Sequence, residues 1–168
     1  MTGVQTCALP ILTERTLAAA RASGLVVEVR TTGGSRAAFA EWLGRDVLLV
    51  DQGDGDLGQR LERAMDPTPM LFIGSDLPDL TPDHLVEAAR QMLTSQVVVG
   101  PAEDGGYWAL GLNEPCAFLF DAMPWGTNQV LPLTLDRLRD KGIAPALLPT
   151  LADCDRPEDL SRWPDLMA

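Results

Sequence analysis

Four consecutive apolar residues, Met70-Leu71-Phe72-Ile73, run directly into Gly74-Ser75-Asp76. A strand that is apolar at every position, instead of every second one, is buried on both faces, which requires helices above and below the sheet. A similar run lies in Gln96–Val99, which ends at Gly100-Pro101, and Leu25–Val29, Val47–Val50, Trp108–Leu112 and Ala146–Leu151 are further candidate strands. Segments of helical period lie between these runs. In Leu57–Met65 the apolar residues Leu57, Leu61, Ala64 and Met65 share one face. Thr81–Leu93 has Thr81 as its N-cap and Pro82 at the first helical position, where a missing N–H costs nothing. Thr13–Ser23, a segment capped by Ser35 and ending near Leu43, Leu131–Arg139 and Pro157–Trp163 complete the helices. Strand and helix in alternation predict one three-layer, Rossmann-like α/β domain with a mainly parallel sheet.

A chain of 168 residues suits one domain with a real core, and 46% hydrophobic residues exclude global disorder. No apolar run approaches the roughly 20 residues that a bilayer requires, so no membrane span is expected. Acidic residues outnumber basic ones by 24 to 13, a net charge of −11. With a sequence pI near 4.3, this argues against nucleic-acid binding, which needs a basic face to displace counterions. Cys7, Cys116 and Cys154 form neither a close pair nor a metal-type spacing, as expected of a reducing cytoplasmic setting. Residues 1–11 stand apart: Thr2–Ile11 is what translation of a common short-read sequencing adapter yields, and the stretch lacks the parts of a signal peptide. The expectation is that this segment replaces the true N-terminus, that the domain proper covers 12–168, and that Cys7 is to be disregarded.

Open α/β sheets bind ligands at the carboxyl ends of their strands. There the sequence places Ser75, Asp76 and Pro78 after one strand, Asp104-Gly105-Gly106-Tyr107 after another, and Asp153 and Asp155 after the last. Carboxylates without a histidine partner favour Mg²⁺ or Mn²⁺ over zinc, and such an ion usually completes its shell with water and substrate phosphates. The predicted site therefore holds a divalent cation and a nucleotide diphosphate. Each residue has a plainer reading too. Asp76 can shape a turn, Asp155 can cap the last helix with Glu158 completing a capping box, and Asp153 is then the competing ligand. Asp104 is a general base or a solvated loop acid, and Gly105 and Gly106 serve a tight turn or let backbone approach a ligand. Asp56 is read as a helix cap, and Trp125-Gly126-Thr127 as a pocket wall or core. His84, the only histidine, sits in the first turn of a surface helix, which leaves Ser–His and Cys–His schemes without support. Gly74-Ser75-Asp76 is no nucleophile elbow, and the only lysine, Lys141, is in no phosphate-binding loop.

The strings QGDGDLGQR (52–60), GSDLPDL (74–80), VVVGPAEDGGYWALGL (97–112), WGTNQVL (125–131) and DCDRPEDL (153–160) together resemble a bacterial glycosyltransferase family of the arsenosugar-biosynthesis type, formerly an uncharacterised domain family. The resemblance runs from about Thr13 to Pro164. It implies a glycosyltransferase A-type fold, similar to that of the molybdenum-cofactor and phospholactate nucleotidyltransferases, and a nucleotide-sugar donor with a small-molecule acceptor. It also implies Asp76, Asp153 and Asp155 as metal ligands and Ser75, Asp76 and Pro78 on the nucleotide side. Gly105, Gly106, Tyr107, Trp125, Gly126 and Thr127 would bind substrate, with Asp104 and Asp76 as catalytic acids. Members of such families open with a strand and a basic Gly-rich loop, and nothing in this chain matches these. The alternatives are a nucleotidyltransferase of the same fold that releases pyrophosphate, and an inactive fragment that lacks its phosphate loop.

Overall fold

A computed structural model describes residues 5–167. The chain forms α1 (Gln5–Ala22), β1 (Glu28–Thr31), α2 (Arg36–Leu43), β2 (Leu48–Asp51), α3 (Leu57–Ala64) and β3 (Met70–Ile73). It continues with α4 (Pro82–Met92), β4 (Val97–Pro101), β5 (Tyr107–Leu112), α5 (Val130–Asp140) and β6 (Ala146–Leu147), and closes on two 3₁₀ turns, Pro157–Arg162 and Pro164–Met167.

Local chemistry explains the helix starts. The Asp56 carboxylate accepts from Gln59 N at 2.9 Å while the Gln59 side chain accepts from Asp56 N at 3.1 Å, a reciprocal cap on α3. Ser35 caps α2 by accepting from Ala38 N. At α4, His84 Nδ1 accepts from Thr81 N at 3.2 Å, so the single histidine secures a helix end. The last segment departs from expectation. It is a 3₁₀ turn, and the Asp159 carboxylate, not an Asp155 cap, accepts from the backbone N–H groups of Asp155 and Arg156. The side chain of Glu158, expected to complete the Asp155 box, lies outside the described residues.

The sheet is built in two parts. β1 and β2 pair in parallel, from Glu28 opposite Leu48 to Thr31 opposite Asp51. The other four strands lie in the order β3-β5-β4-β6. Both β3 and β4 pair antiparallel with β5, and β6 runs parallel to β4. Three of these four strands thus share one direction, as the mainly parallel reading expects. β5 is reversed because the short turn between Pro101 and Tyr107 permits a hairpin but no crossover. Two strand ranges also shift. The first begins at Glu28 because Val26, which sequence pattern placed inside it, is 97% exposed. The last ends at Leu147, with only an isolated bridge from Leu151 to Ala102 beyond it. The segment 1–11 read as extraneous lies partly outside the described residues, and from Gln5 it is part of α1.

Helices cover both faces of the four-stranded part. Val98, Trp108 and Ala109 pack with Leu85 and Ala88 of α4 and with Ala19 and Ala20 of α1. Val97, Val99, Leu110 and Leu112 pack on the opposite side with Leu138 of α5. The three valines are fully buried, which is what an uninterrupted apolar strand requires. Trp108 fills the hollow over Gly100 and donates from Nε1 to the Pro149 carbonyl at 3.0 Å. A Cβ at Gly100 would sit 2.6 Å from that indole nitrogen. Gly100→Ala is therefore expected to destabilise the fold by about 1–3 kcal/mol through overpacking, read from the midpoint and slope of urea unfolding.

Candidate functional site

Three irregular segments meet at one end of the sheet. Asp76 follows β3, Asp104 sits in the β4–β5 turn, and Asp153 and Asp155 follow β6. Backbone hydrogen bonds join them: Cys154 N donates to Asp76 O at 2.9 Å, and Glu103 N donates to Leu151 O at 3.2 Å. The β4–β5 turn is equally fixed. Gly106 N donates to Asp104 Oδ1 at 2.7 Å, and Leu131 N donates to Gly105 O at 2.9 Å. Gly105 has φ +91°, and a Cβ there would lie 2.7 Å from Asn128 Cα. Only glycine meets both demands, and the acid-bearing turn is thereby seated against the segment that carries Trp125.

One carboxylate oxygen from each of Asp104, Asp153 and Asp155 lies within 4.8 Å of the others. Asp76 stands beside this trio, lines the same cavity, and feels the charges of Asp153 and Asp104. The acids border a cavity of about 230 Å³ whose opposite wall includes Leu57, Leu61, Phe72 and Trp125. Trp125 meets Tyr107 edge-on, with ring centres 6.4 Å apart, and lies 6.2 Å from Phe120. Gly106, Gly126 and Thr127 also line this cavity, whereas Ser75, Pro78 and Gly105 do not. Thr127 Oγ1 donates to the Pro124 carbonyl at 2.8 Å, which fixes the turn that presents Trp125. Leu57, Leu61 and Phe72 went unrecognised as wall residues in the sequence. Their helical and strand periods mark them as core, and only the neighbouring Gly-rich loop 52–58 hinted at a nearby opening.

Burial sets the electrostatics, and the crowding of like charges adds to it. Burial raises the Asp76 carboxyl above the ordinary value of 3.8, and the charges of Asp153 and Asp104 add to the rise. Burial raises Asp153 as well, with Asp104 and Asp155 contributing. Asp155 is raised by burial and then by the charge of Asp76. Burial also raises the Tyr107 phenol, so it stays protonated. None of the described residues lining the cavity is Lys, Arg or His. Hard oxygen donors that repel one another and lack a cationic side chain fit a divalent metal ion.

The fold is that of the nucleotide-diphospho-sugar transferases, with a mixed sheet between helices. The chain belongs to a family described as uncharacterized proteins conserved in bacteria, DUF2064, whose profile spans residues 15–127. A protein of Desulfovibrio desulfuricans G20, provisionally named a nucleotide-diphospho-sugar transferase, is similar with a TM-score of 0.81 and 26% identity over 91% of this chain and 71% of that one. Rv0371C of Mycobacterium tuberculosis H37Rv, in complex with manganese, has a TM-score of 0.59 at 19% identity over 90% of this chain and 84% of its own, a likeness of fold alone. No curated protein matches the chain. Among the described residues no helix is long and apolar enough to cross a membrane.

The carboxyl shifts define a pH dependence. Groups whose folded-state pKa is raised bind more protons folded than unfolded, so their penalty is present at neutral pH and disappears as pH falls through the raised values toward 3.8. The melting temperature of the metal-free protein is expected to climb as pH is lowered from 7 into that range. In Asp76→Asn the climb should be shallower, as differential scanning fluorimetry across a pH series would register.

Proposed function

We propose that the protein is a divalent-cation-dependent glycosyltransferase that moves a sugar from a nucleoside-diphosphate donor to a hydroxyl of a small-molecule acceptor. The observation that carries this reading is the convergence of carboxylates from three loops beside an aromatic wall, in a fold shared with a nucleotide-diphospho-sugar transferase. The manganese of the Rv0371C complex supports a cation on such a fold. A Mg²⁺ or Mn²⁺ ion held by Asp153, Asp155 and Asp76 would neutralise the donor's diphosphate and the charge that grows on the leaving nucleotide.

The remaining roles fall to the chain itself. Asp76 lies on the nucleotide side of the cavity, and Ser75 and Pro78, outside the lining itself, shape the loop that carries it. Tyr107 and Gly106 on one loop, with Trp125, Gly126 and Thr127 on the other, hold the acceptor, and Gly105, outside the lining, seats the first loop against Asn128. Asp104 faces that acceptor, with Oδ1 kept in place by the Gly106 amide, and takes the hydroxyl proton as the acceptor oxygen bonds to the anomeric carbon. The bond from that carbon to the diphosphate breaks, and the nucleoside diphosphate leaves.

The phosphate side has one further requirement. β1 and β3 are both sheet edges, and Val27 beside β1 packs in the same cluster as Leu71 and Ile73 of β3. We infer that a further strand set between these two edges, with its loop, would complete the donor's phosphate site.

Thermal shift with Mn²⁺ and a panel of nucleoside diphosphates tests the site. Ligand at a hundred times its dissociation constant adds about 2.7 kcal/mol of stability, and this metal-dependent gain should vanish in Asp155→Asn. Turnover of nucleotide sugars should release nucleoside diphosphate. Pyrophosphate release from a nucleoside triphosphate would assign the nucleotidyltransferase alternative instead. Stabilisation by Mn²⁺ with no response to any nucleotide would overturn the donor reading and leave the cation site.

A further inference from the structure

We infer that Arg162 and Trp163 are positioning residues, a clasp that draws the three acid-bearing loops into one cation site. The inference rests on the metal-site reading above and names residues outside the cavity that sustain it. Two adjacent side chains at the end of the Pro157–Arg162 turn reach all three loops. The Arg162 guanidinium forks onto Glu103, Nη1 to Oε2 at 2.7 Å and Nη2 to Oε1 at 3.3 Å, and Glu103 is the immediate neighbour of Asp104. Trp163 donates from Nε1 to Asp79 Oδ1 at 3.0 Å, and Asp79 shares the short β3–α4 loop with Asp76. The buried Trp163 ring packs in one cluster with Ala152 and Cys154, the residues that flank Asp153. The two arms are joined to each other, since the guanidinium carbon lies 4.9 Å from the centre of the Trp163 ring.

Trp163 also serves core packing, but a stability role does not account for the Arg162 arm. The Arg162 and Glu103 side chains are 49% and 51% exposed, and an ion pair so wet contributes little to folding. What the fork supplies is direction, because two parallel hydrogen bonds fix the orientation of the partner carboxylate. The acid-bearing segments carry no regular structure of their own and repel one another. Ties placed one residue from Asp104, three from Asp76 and directly around Asp153 are therefore positioned to hold the carboxylates together. Outer-shell partners of metal ligands typically govern metal affinity by about 10–100-fold.

Removal of Arg162 gives a test whose sign is decisive. On Coulomb grounds alone, loss of a nearby positive charge strengthens cation binding; loss of the clasp weakens it. Mn²⁺ binding to the full chain, followed by the electron paramagnetic resonance of free Mn²⁺, is expected to be at least tenfold weaker in Arg162→Gln. The melting temperature should stay within about 2 °C of wild type, as for an exposed substitution. Trp163→Phe keeps the ring and removes only the Asp79 bond, and it should weaken Mn²⁺ binding several-fold. Adding Glu103→Gln to Arg162→Gln should cost no more than Arg162→Gln alone, because both break one tie. Mn²⁺ affinity in Arg162→Gln equal to or above that of wild type overturns the clasp and leaves the metal site standing. A loss of affinity that merely follows falling melting temperatures across the variants overturns it as well. Absence of Mn²⁺ binding to the wild type removes the metal reading and the clasp together.

Discussion

Strand β5 is hydrogen-bonded along both edges, to β3 and to β4, and the remaining architecture is arranged around that doubly paired strand. Its pairing does not stop where the regular strands end. Gly74 N donates to Trp108 O, which carries the β3 ladder into the loop that holds Asp76. On the other side, Leu148 N donates to Val99 O and Leu151 N to Pro101 O, which carries β6 along β4 toward Asp153. A register shift at Gly100/Pro101 then redirects β4 into the turn that holds Asp104. All three acid-bearing loops thus leave from one continuous hydrogen-bonded frame, and this is why residues 28 to 79 positions apart in sequence converge in space.

The convergence opposes local electrostatics. Asp76, Asp153 and Asp155 all have their carboxyls raised, and each owes part of the rise to its neighbours. A grouping of this kind persists only where the surrounding fold over-determines it. Here the surroundings consist of the extended ladders, the close seating of Gly105 against Asn128, and the contacts of Arg162 and Trp163 outside the cavity. Stability at neutral pH is spent on a concentration of negative potential that a divalent ion converts into attraction.

Much of this frame was legible in the chain. Continuous apolar runs at 70–73 and 97–99 identified two strands, of which β4 is buried on both faces as expected, whereas β3, at the edge of its sheet, is only half-buried. Acids directly after those runs meet at one end of the sheet, as the order of strand and acid implies. The reversed direction of β5 was less visible, since Trp108–Leu112 has the same apolar character in either direction and only the brevity of the preceding turn distinguishes them. The split between β1–β2 and the other strands has no local signature at all. Nor did Arg162 and Trp163 stand out: an arginine and a tryptophan near a chain end have no periodicity, and their partners Glu103 and Asp79 lie 59 and 84 positions away. Long-range pairing of isolated polar groups is the information that a pattern of hydrophobicity does not carry.

The open edge of β3 has a consequence for the handling of the protein. Met70, Leu71, Phe72 and Ile73 are only half-buried, and a flat apolar strand with unpaired backbone groups along one side is a template for a neighbouring molecule. Mutual repulsion from the net charge of −11 keeps such edges apart near neutrality. Acidification toward the isoelectric region near 4.3 removes that repulsion over the same interval in which protonation of the clustered carboxylates favours the folded state. The contribution of the clustered carboxylates to conformational stability and the colloidal stability therefore run in opposite directions with pH.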